Sequence, residues 1–269
     1  MTRMEKHVKI FKKDKPIIGC LHLRALPGTP KWDKEYTLEQ HIEDLRNEAR
    51  ILMDLGYDGV VFANESDYPY LEHVGPEIVA AYARIVTEVK RELTVPFGVG
   101  VMFDPYATIA LAMATGASFV RGFFTNTCVT DFGIINRVAG EIFRYAKHIG
   151  AEDLSIYTAI EGHYGELLDK RPVEEKFRSV AFIVPVAGYI MSGPISGVAP
   201  DASTLAKLKG IDPSIPIILN SGASPENIKS LLPYCDGVIV GTSLKKGRYL
   251  FNPIDYENAK AFIQAAKSA

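Results

Sequence analysis

The chain has 269 residues, 47% of them hydrophobic and 23% charged, long and apolar enough for a large buried core and far from the composition of a disordered protein. Its 30 Lys plus Arg against 32 Asp plus Glu leave a net charge of −2 with no long block of either sign, which argues against a dedicated nucleic-acid surface or a basic face for acidic membranes. Three cysteines far apart in sequence, Cys20, Cys128 and Cys235, suit neither a disulfide framework nor a Cys-x-x-Cys metal knuckle and point to a reducing, cytoplasmic setting.

Residues 1–15 are cationic, lack an apolar segment of signal-peptide length, and read as an N-terminal extension. A first strand is predicted over 16–22. Thr37 and Gln40 then have capping-box spacing, and Leu38, Ile42, Leu45, Ala49 and Leu52 mark one apolar face of a helix that Gly56 stops. Further strands are predicted over 58–64, 96–103, 118–124, 154–160, 188–192, 215–220 and 236–240. Helices are predicted between them over 76–93, 105–115, 131–149, 172–184 and 201–209, with two more helix starts at Ser224-Pro225 and Asn252-Pro253. The strands are largely apolar rather than alternating, as expected when both faces are covered. The longest apolar stretch, 180–191, is broken by Pro185 and Gly188 and falls short of the ~20 residues of a bilayer span, so no stable membrane insertion is expected.

About eight strands alternating with eight helices predict an α/β protein, a single (β/α)8 TIM-barrel domain over 1–269, close to the typical size of ~250 residues. A doubly wound sheet would carry a phosphate fingerprint at its first turn. No Gly-x-Gly-x-x-Gly opens a helix here.

In such a barrel the functional groups sit at the C-terminal ends of the strands. The last two strands end in Asn220-Ser-Gly-Ala223 and Val240-Gly-Thr-Ser243, small residues whose backbone N–H groups can approach a dianion, the first leading into a helix start. Ser221, Gly222, Ala223, Gly241 and Thr242 are therefore the expected phosphate-binding residues. Arg121 lies inside an apolar strand and needs an anionic partner, either a carboxylate such as Glu161 or Glu65 or a substrate anion. Glu161 and His163 are two apart and face the lumen if the fifth strand extends that far. With His22 and Glu65 they could supply acid and base for proton transfer beside a carbonyl. The expected catalytic set is Glu161, His163, Arg121, His22 and Glu65.

No lysine falls within a predicted strand, which argues against a Schiff-base aldolase. Lys245 and Lys246 read as phosphate neighbours or surface charge. His7, His41, His73 and His148 read as solvated. Glu65, Asp67, Asp104, His22 and His163 are possible metal ligands without tight spacing, so the sequence requires no cofactor and leaves a divalent metal open.

The segments His22-Leu-Arg-Ala-Leu-Pro-Gly-Thr-Pro30, Val74-Gly-Pro-Glu77, Val129-Thr-Asp-Phe-Gly-Ile-Ile135 and Asp236-Gly-Val-Ile-Val-Gly-Thr-Ser-Leu-Lys-Lys246 resemble the BtpA/SgcQ family. The resemblance runs from about Pro16 to the C-terminal helix and implies a TIM barrel of the ribulose-phosphate-binding type that self-associates. The family name refers to photosystem I biogenesis, and some members are labelled phosphoribosylanthranilate isomerase. This chain departs from the family pattern on the expected active face. Arg24 and Ala25 stand where the first motif usually has two prolines, Asn64-Glu65 reverses the common Glu-Asn order, and Ala159-Ile-Glu-Gly-His163 replaces an Asp-Val-His-like segment.

Three readings of function follow. The leading one is an isomerase, epimerase or lyase acting on a phosphorylated sugar or related metabolite in a homo-oligomer. The second is a non-catalytic biogenesis or assembly factor for a membrane protein complex. The third is an anthranilate-type ketose isomerase, which would need a cysteine and an aspartate across the phosphate, Cys20 and Asp104 being available.

Overall fold

A computed structural model describes residues 1–162, 164–193 and 197–269. Eight parallel strands close into a barrel: β1 (Ile17–His22), β2 (Gly59–Ala63), β3 (Phe97–Gly100), β4 (Phe119–Gly122), β7 (Ser155–Ala159), β9 (Gly188–Met191), β10 (Ile217–Leu219) and β11 (Val238–Val240). Each begins and ends within a predicted strand. β1 closes the ring against β11, with Ile18 beside Ile239, and pairs on its other side with β2.

The register sorts side chains into two cores. Ile18 and Cys20 of β1, Val61 of β2, Phe119 of β4, Ile218 of β10 and Ile239 of β11 point into the lumen. The residues between them, such as Ile17, Leu21, Val60 and Phe62, pack outward against the helices. That two-sided burial explains why the strand sequences do not alternate in polarity.

The helices are α1 (Arg3–Phe11), α2 (Leu38–Asp54), α3 (Pro76–Val89), α4 (Pro105–Thr115), α5 (Ala139–His148), α6 (Val173–Ile183), α7 (Ala202–Ile211), α8 (Ile228–Leu231) and α9 (Tyr256–Lys267). Thr37 and Gln40 form the expected capping box of α2. The expected start of α9 shifts: its N-cap is Asp255, which accepts from Asn258 N–H, rather than Asn252.

The N-terminal extension is not a loose tail. Its helix α1 closes the N-terminal end of the barrel, where Phe11 packs on Phe119 at 5.1 Å and His7 Nδ1 lies 2.8 Å from the Tyr157 hydroxyl. The expectation that His7 is solvated is thus corrected. His41 is buried too, with Nε2 accepting from Arg24 N–H at 3.0 Å, while His73 and His148 are exposed.

The predicted helix over 131–149 is the largest departure. Its first part holds β6 (Gly133–Ile135), the second arm of a hairpin with the preceding β5 (Cys128–Thr130), and β8 (Gly165–Leu167) pairs with the other edge of β5. Val129, Thr130, Ile134 and Ile135 are β-branched, and Gly133 takes φ +118° at the hairpin turn, so strand preference overrides the helical spacing. This small antiparallel sheet follows the C-terminal ends of β4 and β7 and roofs one side of the barrel mouth, packing Cys128, Ile135 and Leu167 on Tyr70, Met102 and Phe103.

Candidate functional site

Two glycines prepare the lumen for its polar groups. Gly98 and Gly100 on β3 present no side chain inward: a methyl on Gly98 would lie 2.4 Å from the Phe119 ring, and one on Gly100 2.7 Å from the Arg121 carbonyl oxygen. Arg121 therefore reaches past β3 to the loop after β2, where its Nη2 donates to Glu65 Oε1 at 2.6 Å. Of the two carboxylates expected as its partner, the lumen supplies Glu65. Burial works against the arginine charge, but Glu65 more than offsets it and raises the Arg121 pKa.

At the end of β1, His22 lies against Gly241, where a methyl group would be 2.5 Å from His22 Cε1. Burial first, then the cations Lys245 and Arg121, push the His22 pKa well below its ordinary value, so the imidazole is neutral at physiological pH. Among the described residues neither His22 Nδ1 nor Arg121 Nε has a hydrogen-bond partner. Buried polar atoms seldom stay so. Burial raises the neighbouring Cys20 thiol to about 11 against the lowering effect of Arg121.

The loops after β10 and β11 complete the same cavity. About 40 Å³ is enclosed by Cys20, His22, Glu65, Arg121, the segment 220–223 and the segment 241–243. Ser243 Oγ donates to the Ala223 carbonyl and ties the loops together. Other loop bonds run from Asn227 Nδ2 to Gly222 O, from Ser224 N–H to Asn227 Oδ1, and from Leu244 N–H to Gly241 O. None of these uses the N–H groups of Gly222, Ala223, Gly241, Thr242 or Ser243. Gly222 has φ +89°, and a methyl there would lie 2.1 Å from Ala199 N. The expected helix-dipole contribution is weaker than the sequence suggests, because α8 starts only at Ile228 and lasts four residues. Backbone amides are what these loops offer an anion.

Other expected residues fall elsewhere. Glu161 lies beyond the end of β7 and pairs with the buried Lys176 of α6 at 2.6 Å. It borders a larger cavity of about 500 Å³, which adjoins the lumen space at Ser192. The charges around that cavity are matched, Glu166 with Lys170 and Asp169 with Arg171. The lumen space is the candidate site, because there the buried His22 Nδ1 and Arg121 Nε have no hydrogen-bond partner among the described residues. His163 lies outside the described residues. Lys245 is not surface charge: its side chain is 1% exposed and pairs with Glu48 Oε2 at 2.9 Å, while its charge is felt at His22 and Cys20. No sequence signal marked Glu48, which sits on the buried face of α2.

Among the described residues no three His, Cys, Asp or Glu side chains are grouped as metal ligands. Glu65 holds Arg121. Asp67 accepts from Leu26 N–H and Asn64 Nδ2 at 2.8 Å each. Asp104 caps α4 through Ala107 N–H and accepts from Val74 N–H. Asp104 does not line the cavity that holds Cys20, so the pair wanted by the ketose-isomerase reading is not assembled.

Residues 13–268 match the sequence model of the BtpA family. The sgc region protein SgcQ of Escherichia coli (strain K12) is 32% identical over 95% of this chain and 96% of its own length. The photosystem I biogenesis protein BtpA of Synechocystis is 29% identical over 95% of this chain and 89% of its own. Among solved structures, an archaeal fructose 1,6-bisphosphate aldolase superposes with a TM-score of 0.58 at 15% identity, over 99% of this chain and 100% of the other. That likeness concerns the fold.

Proposed function

The chain belongs to the BtpA family, and on that premise we propose that it is an enzyme that binds a phosphorylated small molecule at the C-terminal face of the barrel and moves a proton beside a carbonyl. One observation carries the reading: His22, Glu65, Arg121 and both small-residue loops wall a single cavity. The phosphate sits on the amides of Gly222, Ala223, Gly241 and Thr242, with the hydroxyl of Ser221 beside them. Binding there orients the reacting carbon from a distance.

Within the cavity the carboxylate is Glu65, which accepts a hydrogen bond from Arg121, and it takes the proton from carbon. The electron pair moves onto the carbonyl oxygen. Arg121 offsets that charge, and neutral His22 hydrogen-bonds to the oxygen, as a neutral imidazole does where an enediolate forms. Returning the proton to the former carbonyl carbon, while His22 passes the hydroxyl proton of the neighbouring carbon to the first oxygen, gives isomerisation.

The test is thermal stabilisation of the full chain by a panel of sugar phosphates. Stabilisation of the wild type that is lost in Gly241→Val is expected, since RT ln(1 + [L]/Kd) measures occupancy. No stabilisation by any of the panel would refute the reading.

A second reading, an assembly factor for a protein complex, draws support from Phe182 and Ile183. They stand 91% and 72% exposed at the C-terminal end of α6, away from the site. Under that reading the double variant Glu65→Leu with Arg121→Met leaves the cellular role intact and Phe182→Asp abolishes it; under the enzyme reading the reverse holds.

A further inference from the structure

We infer that the ligand of this site carries a planar aromatic group, received by a second pocket beside the phosphate loops; the inference rests on reading those loops as a phosphate site. A cavity of about 270 Å³ opens where the segments after β1, β2 and β11 meet, walled by Tyr36, Tyr68, Tyr249 and Phe251 together with Arg24 and Lys31.

Its rings are set in place before any ligand arrives. The Arg24 guanidinium lies 4.4 Å over the Tyr36 ring and the Lys31 ammonium 4.0 Å over Tyr68. Phe251 meets Tyr68 at 5.5 Å and Tyr249 edge-on at 5.4 Å. Fixed walls lower the ordering cost of binding. Tyr249 and Phe251 nonetheless remain 57% and 39% exposed, leaving ring surface free for offset stacking.

A third cavity lies between this pocket and the phosphate site. A small cavity beside His22 shares Leu250 with the phosphate cavity and shares Arg24, Ser66 and Phe251 with the aromatic one. Size decides between a whole ligand and part of one. Sites for complete small molecules span roughly 300–1,000 Å³; the aromatic pocket falls just below that range, and the enclosed space at the phosphate loops far below it. Each takes one end of the same molecule, the phosphoryl group at Gly222 and Gly241 and the ring over Phe251, with His22 between them.

Calorimetric titration of the full chain tests this with inorganic phosphate, ribose 5-phosphate, adenosine 5′-monophosphate and uridine 5′-monophosphate. At least one nucleotide should bind roughly ten-fold or more tightly than ribose 5-phosphate, a range that stacking supplies. Tyr249→Ala and Phe251→Ala should each remove most of that difference and leave ribose 5-phosphate unchanged; both side chains are exposed, and circular dichroism checks the fold. Ribose 5-phosphate binding as tightly as both nucleotides overturns the aromatic subsite and leaves the phosphate site standing. Variants that weaken all the ligands equally overturn it too. Absence of binding by all four probes overturns both readings.

Discussion

Arg121 Nη2 and Glu65 Oε1 meet at 2.6 Å inside the barrel mouth, joining β4 to the loop after β2 with little water around either group. Deleting one partner of such a pair leaves a buried charge uncompensated, at a cost of about 3–5 kcal/mol, whereas replacing both with apolar residues is close to neutral. Glu65→Gln should therefore lower the unfolding free energy by about 3 kcal/mol in urea titrations, and the double variant Glu65→Leu with Arg121→Met should recover most of it. A single variant costing less than about 1 kcal/mol would mean that solvent reaches the pair.

Asp67 gives the fold a pH signature. Burial raises its carboxyl to about 6, against the hydrogen bonds from Leu26 and Asn64 that lower it. The folded state then keeps a proton that the unfolded chain has already released, so this group makes stability fall as pH rises from about 4 to about 6. The full effect is about 3 kcal/mol. Subtracting the stability profile of Asp67→Asn from that of the wild type should isolate this decline; a difference independent of pH would contradict it.

The thiols should be inert in the native protein. Burial raises Cys20 to about 11 and Cys235 to about 12, and Cys128 is raised as well. All three are buried and free. At pH 8 an alkylating reagent should label none of them until denaturant is added, as read by mass spectrometry. Rapid native labelling of Cys20 would reveal a thiolate in the lumen and revive a role for it in proton transfer.

The barrel was legible because its strands are apolar runs bounded by turn residues, and closure then fixed which ends face the site. Arg121 stood out as a charge in an apolar strand, and the structure gives it a carboxylate proposed from sequence. Glu161 shows where that reasoning stops. Its spacing from His163 implied a longer strand, but β7 ends at Ala159, and Lys176 draws the carboxylate toward α6. The roof sheet was hidden because three-residue strands carry too little pattern to outweigh helical spacing at 131–149. His7, His41 and Lys245 were misread for a common reason: polar residues buried by distant partners, here Tyr157, Arg24 and Glu48, leave no local trace in the sequence.

Phosphate binding by the loops after β10 and β11 is the central proposal, and backbone amide chemical shifts in a titration with inorganic phosphate test it most directly. The N–H signals of Gly222, Ala223, Gly241, Thr242 and Ser243 should move together and saturate with one dissociation constant. Shifts confined to other surfaces, or none at millimolar phosphate, would contradict it.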